Sequence, residues 1–226
     1  MIAKVLCSVC VAGVILTGMP FARAGALLEE KAEAAFVAAT SAPQQKAAFR
    51  FVVVASEHNK ARYRVRERLA GRELDNDAIG ETPNVTGTIA VDDKGKVIAS
   101  ESRFTAELAP LTSDNSRRDN YVRRRLLVTD TFPTTTLNIT DVRGLPSPLP
   151  EAGEAKFQII GNLTLRGVTR QTTWSVTAKL EGDRLSGTAA TRFAFADFSI
   201  PQPRVAMVLS VSDTIGLEYD FVMTRK

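Results

Sequence analysis

Arg62-Tyr63-Arg64-Val65-Arg66-Glu67-Arg68-Leu69 is the stretch whose reading decides the fold. Arg62, Arg64, Arg66 and Arg68 share one parity, and Tyr63, Val65 and Leu69 share the other. In an extended chain successive side chains point to opposite faces, so this octapeptide has one wet face and one buried face. The same alternation recurs downstream. Val85-Thr86-Gly87-Thr88-Ile89-Ala90-Val91 alternates, and Asp92-Asp93-Lys94-Gly95-Lys96 supplies a tight polar turn, which together predict a hairpin.

Further strands are expected at Ser100–Leu108, Thr135–Val142, Lys156–Leu165, Thr172–Leu180, Leu185–Phe195, Val205–Val211 and Ile215–Met223. Helical periodicity is nearly absent from this part of the chain. Glu181-Gly182-Asp183 is too short for the crossover that parallel pairing needs, so the sheet is expected to be mainly antiparallel. Eight or nine strands on one domain's length favour closure into a barrel, which leaves no exposed edge; periodicity alone leaves a two-sheet sandwich open.

One segment breaks the period of two. Thr112–Leu127 holds Asp114, Asn115 and Ser116 as caps, with Pro133 soon after, and reads as a short helix or helical turn on a loop. Arg117, Arg118, Arg123, Arg124 and Arg125 make it densely basic. Such a cluster either attracts a phosphate or anionic headgroups or is solvated charge partly offset by Asp114 and Asp119.

Upstream of the strands, Lys4 precedes an apolar run from Val5 to Met19, and Ala22-Arg23-Ala24 has the small-residue spacing of a signal-peptidase site. About 15 apolar residues fall short of the roughly 20 of a membrane-crossing helix, so residues 1–24 are expected to be a cleaved leader, leaving a periplasmic or secreted protein. Cys7 and Cys10 both lie within it, so the processed chain has no thiol, disulfide or cysteine metal site. Residues 25–48, where Ala, Glu and Lys dominate Leu27–Ala39 ahead of Ser41-Ala42-Pro43, read as a helical or disordered spacer. Residues 49–226 are then the folded domain. Without Lys4 and Arg23, the 29 basic residues fall to 27 against 25 acidic ones, which is no nucleic-acid signature.

Catalytic readings find little support. His58 is the single histidine, beside Glu57 at an expected strand end or turn, and no nucleophile elbow or phosphate-binding glycine loop is present. No enzyme activity, no metal site and no cofactor is expected.

The order of several motifs resembles that of YceI-like proteins. Arg118-Asp119-Asn120-Tyr121-Val122-Arg123, then Leu126, Phe132-Pro133 and Thr136-Leu137, is similar to the family's passage from an Arg-Asp pair through a short helix to an aromatic-Pro pair and a strand. Gly161-Asn162-Leu163-Thr164-Leu165-Arg166-Gly167-Val168-Thr169-Arg170 resembles its most recognisable strand and hairpin, with Asn162 where Asp is common. Gly80 and Gly87 resemble its early glycines and Phe195-Ala196-Asp197-Phe198 its late aromatic strand end, although Asp197 stands near a place where many members carry Arg or another polar residue.

The resemblance implies an all-β, antiparallel, lipocalin-like barrel of about eight strands with a short helical loop insertion. It also implies a polyisoprenoid or isoprenoid quinone held in the interior of an exported carrier or store. Partner expectations are a long-chain lipid, no nucleic acid and peripheral membrane contact, with a homodimer left open.

The residues expected to contact ligand are Phe104, Phe132, Leu163, Leu165, Trp174, Phe193, Phe195 and Phe198 along the interior, and Arg118 and Arg123 at the mouth. Guanidinium groups pair bidentately with phosphate oxygens, which favours those arginines for a headgroup. The competing role for Arg118 and Asp119 is an ion pair anchoring the loop to the barrel. Gly87, Ala106, Gly187, Ala189 and Thr191 share the expected inward parity with large aromatics, leaving either a tunnel or a filled core. The rival function is a filled barrel that docks its Arg62, Arg64, Arg66 and Arg68 face onto an anionic membrane or a protein partner.

Overall fold

A computed structural model describes residues 47–71, 73–146 and 152–226. The expected leader, both cysteines and nearly all of the expected spacer lie outside these residues. Eleven strands are formed: β1 (Phe49–Val53), β2 (Lys60–Leu69), β3 (Asn76–Thr82), β4 (Val85–Val91), β5 (Arg103–Glu107), β6 (Thr112–Ser113), β7 (Thr134–Arg143), β8 (Ala152–Leu165), β9 (Val168–Glu181), β10 (Arg184–Ala194) and β11 (Val208–Arg225).

All pairings are antiparallel, and β1–β4–β5–β7–β8–β9–β10–β11 returns to β1 as a closed ring. The remaining strands continue members of this ring. Both β1 and β2 lie along one edge of β11, with Phe51 opposite Arg225 and Leu69 opposite Val208. They act as one bent strand interrupted at 54–59. Likewise β3 and β4 are separated only by Pro83-Asn84, and β3 pairs with β6 just as β4 pairs with β5. The result is a lipocalin-like barrel of eight strand positions.

The longest hairpin, β8–β9, turns through Arg166 (φ 52°) and Gly167 (φ 75°). Positive φ at both central residues matches the right-handed twist of the flanking strands. Burial along β9 alternates strictly from Thr172 to Glu181, as the sequence period requires.

Two expectations are corrected. Val205–Val211 and Ile215–Met223 are not separate strands: β11 starts at Val208 and runs on through Met223, with a register shift between Val211 and Ile215, while 205–207 belong to the preceding loop. Ser212, Asp213 and Thr214 form a bulge rather than a hairpin because β2 stays paired to the same edge on both sides of it. In addition, β3 arises where no strand was expected, since Asn76, Asp77 and Gly80 are turn formers by composition.

At its upper end the ring is incomplete, because β6 pairs only with β3 among the described strands. Helix α1 (Ser116–Tyr121) follows, continuing as a wider π-type turn over Val122–Leu127. Asn115 caps α1, its Oδ1 accepting from Arg117 N at 3.0 Å and Arg118 N at 3.3 Å. Val122 and Leu126 are buried in the barrel's main apolar cluster, so this segment roofs the gap. Among the described residues no helix is long and apolar enough to cross a membrane.

Candidate functional site

Alternation on the eight strand positions sends one parity inward, and those side chains enclose a cavity of about 270 Å³. Its lining runs from Leu126, Pro203, Val205 and Val208 at the upper end to Phe157, Leu185 and Met223 at the lower. Trp174, Val176, Phe193, Leu217 and Tyr219 line the space between. Val205 lines the cavity while remaining 42% exposed, which locates the mouth at the loop leading into β11.

The small inward residues do two jobs. A Cβ on Gly87 would lie 2.3 Å from the Phe104 ring, and one on Gly80 would lie 2.3 Å from the Tyr63 ring. These glycines seat cross-strand aromatics flat against the wall. Phe104 then meets Tyr219 edge-on with centroids 6.1 Å apart, and Tyr219 meets Phe221 at 5.9 Å. The wall is thus locally filled at the glycines, and the apolar cavity persists between the rings.

Trp174 keeps its indole N–H satisfied by donating to Thr172 Oγ1 at 2.9 Å, so the ring presents only carbon to the interior. Burial pushes the Tyr219 hydroxyl above the usual tyrosine range; it donates to Asn59 Oδ1 at 3.4 Å, an oxygen that also accepts from Val222 N at 2.8 Å. Tyr63 is pushed up to about 12, chiefly by burial, against the lowering influence of Arg118 nearby.

The expected site residues divide into two groups. Phe104, Arg118, Leu163, Leu165, Trp174, Phe193 and Phe195 line the cavity. Arg123, Phe132 and Phe198 do not. Arg123 turns back to the carbonyl oxygens of Ala109 and Leu111 and to Asn120 Oδ1, fastening the roof. The Phe132 ring lies under the β8–β9 turn, where a Cβ on Gly167 would come within 2.8 Å of it. Phe198 is fully buried behind Phe193, ring centroids 4.5 Å apart.

Arg118 is held at the cavity wall by Glu67, whose Oε1 accepts from its Nη2 at 2.9 Å, and by Asp114. Glu67 is only 8% exposed and also accepts from Asn76 Nδ2 at 3.3 Å. The loop anchor therefore differs from the Arg118–Asp119 pair expected from sequence. Asp119 instead accepts from the Ser113 backbone N–H and hydroxyl. Glu67 was the residue missed, although it occupies the apolar parity of β2, where a lone carboxylate is out of place.

The outward arginines of β2 are not a free cationic face. Arg62 pairs with Glu218 and Asp220, Arg64 with Glu218 at 3.0 Å and Asp77 at 3.1 Å, and Arg66 with Asp77 at 3.0 Å. The Arg64 hydrogen bond holds the Glu218 carboxyl below the usual carboxylate range. His58 is exposed in the turn between β1 and β2. Among the described residues no group of three or more His, Asp or Glu is placed to hold a metal ion.

A closed antiparallel barrel with an apolar interior, roofed by one short helix, defines a lipocalin-like protein. The YceI-like domain matches residues 52–223, and the chain belongs to that family. Solved structures share the fold at low identity. A polyisoprenoid binding domain from Saccharophagus degradans implicated in plant cell wall breakdown is 12% identical, with TM-score 0.60 over 78% of this chain and 98% of its own. BcnA from Burkholderia cenocepacia is 13% identical, with TM-score 0.55 over 75% and 98%. The YceI protein of Campylobacter jejuni is 16% identical, with TM-score 0.52 over 70% and 90%. Among curated proteins none matches.

Proposed function

We propose that this protein binds a long-chain isoprenoid or similar amphiphilic lipid inside its barrel, without catalysis, and acts as a carrier or store in the periplasm. The observation that carries this reading is the apolar cavity running between the two ends of the barrel, with the buried Glu67–Arg118 ion pair in its wall. Removing an alkyl chain from water gains about 0.8 kcal/mol per methylene, so a few buried isoprene units offset the cost of association. A polyisoprenoid binding domain among the structural neighbours supports the ligand class, and the leader expected over residues 1–24 supports export.

The charge state of the wall bears on the headgroup. Arg118 already faces Glu67 and Asp114, so an anionic phosphate at Arg118 competes with a buried carboxylate. A neutral polar end, carbonyl or hydroxyl, accepts or donates there without breaking the pair. This favours a quinone-like or alcohol headgroup over a phosphate. The rival docking through the β2 arginines loses its support, since three of the four are paired with acids.

The test is native mass spectrometry of the protein purified from a bacterial host, followed by organic extraction. A stoichiometric neutral long-chain isoprenoid is the expected result. An empty protein that also refuses added polyprenyl lipids from detergent micelles would overturn the reading.

A further inference from the structure

The described residues expose four large apolar side chains, Leu74 at 81%, Met207 at 65%, Leu209 at 64% and Val205 at 42%. They gather at one end of the barrel. Met207 and Leu209 flank Val208, which pairs with Leu69 at the end of β2, and Leu74 belongs to the turn that joins β2 to β3. The two turns are tied together where Ala70 N donates to Met207 O at 2.9 Å. Pro203, Val205 and Val208 of the same loop line the cavity. The exposed side chains are thus the outward continuation of the cavity's apolar lining.

We propose that this lip, formed by Val205–Leu209 and Leu74, inserts into the headgroup region of a lipid bilayer and seats the cavity mouth on the membrane. The inference rests on the lipid-binding reading above, since a long apolar chain needs a water-free route between bilayer and barrel. The lip suits a bilayer better than a protein partner. Protein interfaces are anchored by buried aromatics and arginines in a broad packed patch, whereas no large aromatic is exposed here and the apolar groups sit on two projecting turns. Projecting aliphatic side chains bury among acyl chains without needing a complementary surface.

Charge adds a smaller contribution. Among the described residues Arg204 on the lip, and Arg117, Arg124 and Arg125 on the roof, are exposed and in no ion pair, while Glu73 and Asp75 lie on the β2–β3 turn and Asp213 in the β11 bulge. With both signs present, attachment comes mainly from apolar insertion and survives moderate salt.

The test is co-sedimentation of the host-processed protein with vesicles of phosphatidylethanolamine and phosphatidylglycerol. Neither Met207 nor Leu209 lines the cavity, so Met207→Asp/Leu209→Asp leaves the interior intact. The double variant is expected to lose vesicle affinity by about tenfold or more. It should keep its melting temperature and its uptake of a polyprenyl lipid offered in detergent micelles. Leu74→Asp is expected to weaken vesicle binding by a smaller factor. Vesicle binding unchanged in the double variant would overturn the proposal, as would a wild-type protein that ignores vesicles. Dimerisation that the double variant abolishes, with vesicles still ignored, would reassign the lip to a second copy and equally overturn it. Failure of micelle uptake by the wild type would instead remove the lipid-binding reading, which separates the two.

Discussion

On the outer face of β2, Arg62, Arg64 and Arg66 stand between acids supplied by β3 and β11, whereas the inner face holds one carboxylate, Glu67, among apolar side chains. The outer array is large and wet. Arg64 and Arg66 retain 40% and 58% of their side-chain exposure, so their pairs are screened and cost the side chains their freedom, while Arg62, at 21%, is drier but faces two acids that are themselves about a third exposed. The inner pair is small and dry, with Glu67 at 9% and Arg118 at 18% side-chain exposure. A charge withdrawn from water depends on its partner far more than one left in it. The conspicuous charges of this strand therefore contribute to solubility and register, and the inconspicuous one holds the roof onto the barrel.

The largest effect is expected from breaking the inner pair. Glu67→Gln should lower the unfolding free energy by about 2–3 kcal/mol in urea titration, because Arg118 keeps only the exposed Asp114. Adding Arg118→Met should recover part of that loss. A strictly additive double variant would mean that the two residues do not act as a pair.

An intermediate effect involves Tyr63, on the same inner face beyond Val65. Its hydroxyl, pushed up to about 12 from an ordinary 10, favours the folded state below pH 10. That contribution declines as pH rises from 10 through 12, because the unfolded chain ionises first. The loss should reach roughly 2 kcal/mol, and Tyr63→Phe should remove it from an alkaline unfolding profile. An unchanged profile in that variant would assign the alkaline loss elsewhere, Tyr219 being the other raised hydroxyl.

The smallest effect belongs to the outer face. Glu218 is held below its ordinary 4.5 by Arg64, so its contribution is present above that value and is lost as pH falls. Because the pair is partly exposed, Glu218→Gln should cost under about 1 kcal/mol near neutrality. It should also flatten acid sensitivity and lose its effect in high salt. A cost equal to that of Glu67→Gln would erase the contrast between the faces.

How far each face was legible follows from where its partners lie. The alternation of Arg62–Leu69 and the β8–β9 hairpin through Arg166-Gly167 were open to reading because parity and turn chemistry are local. The acids that neutralise Arg64 stand 13 and 154 residues away, so no window on the sequence shows that the basic run is already occupied. Glu67 and Arg118 are 51 residues apart, and only the register of β2 and β3 with the placement of α1 brings them together. Arg123, Phe132 and Phe198 belonged to the recognised motifs, yet they fasten or fill rather than line.

The sequence by itself determined the all-β, antiparallel class, the helical interruption before β7 and the inward parity of the main strands, since each depends on neighbours within a few residues. Closure of the ring, the merging of two expected strands into β11 and the creation of β3 were decided by tertiary structure. So were the neutralised outer arginines and the apolar lip at the cavity mouth. Each of these depends on which strand edge meets which, and that pairing is selected by burying all the inward faces together rather than by any one segment's preference.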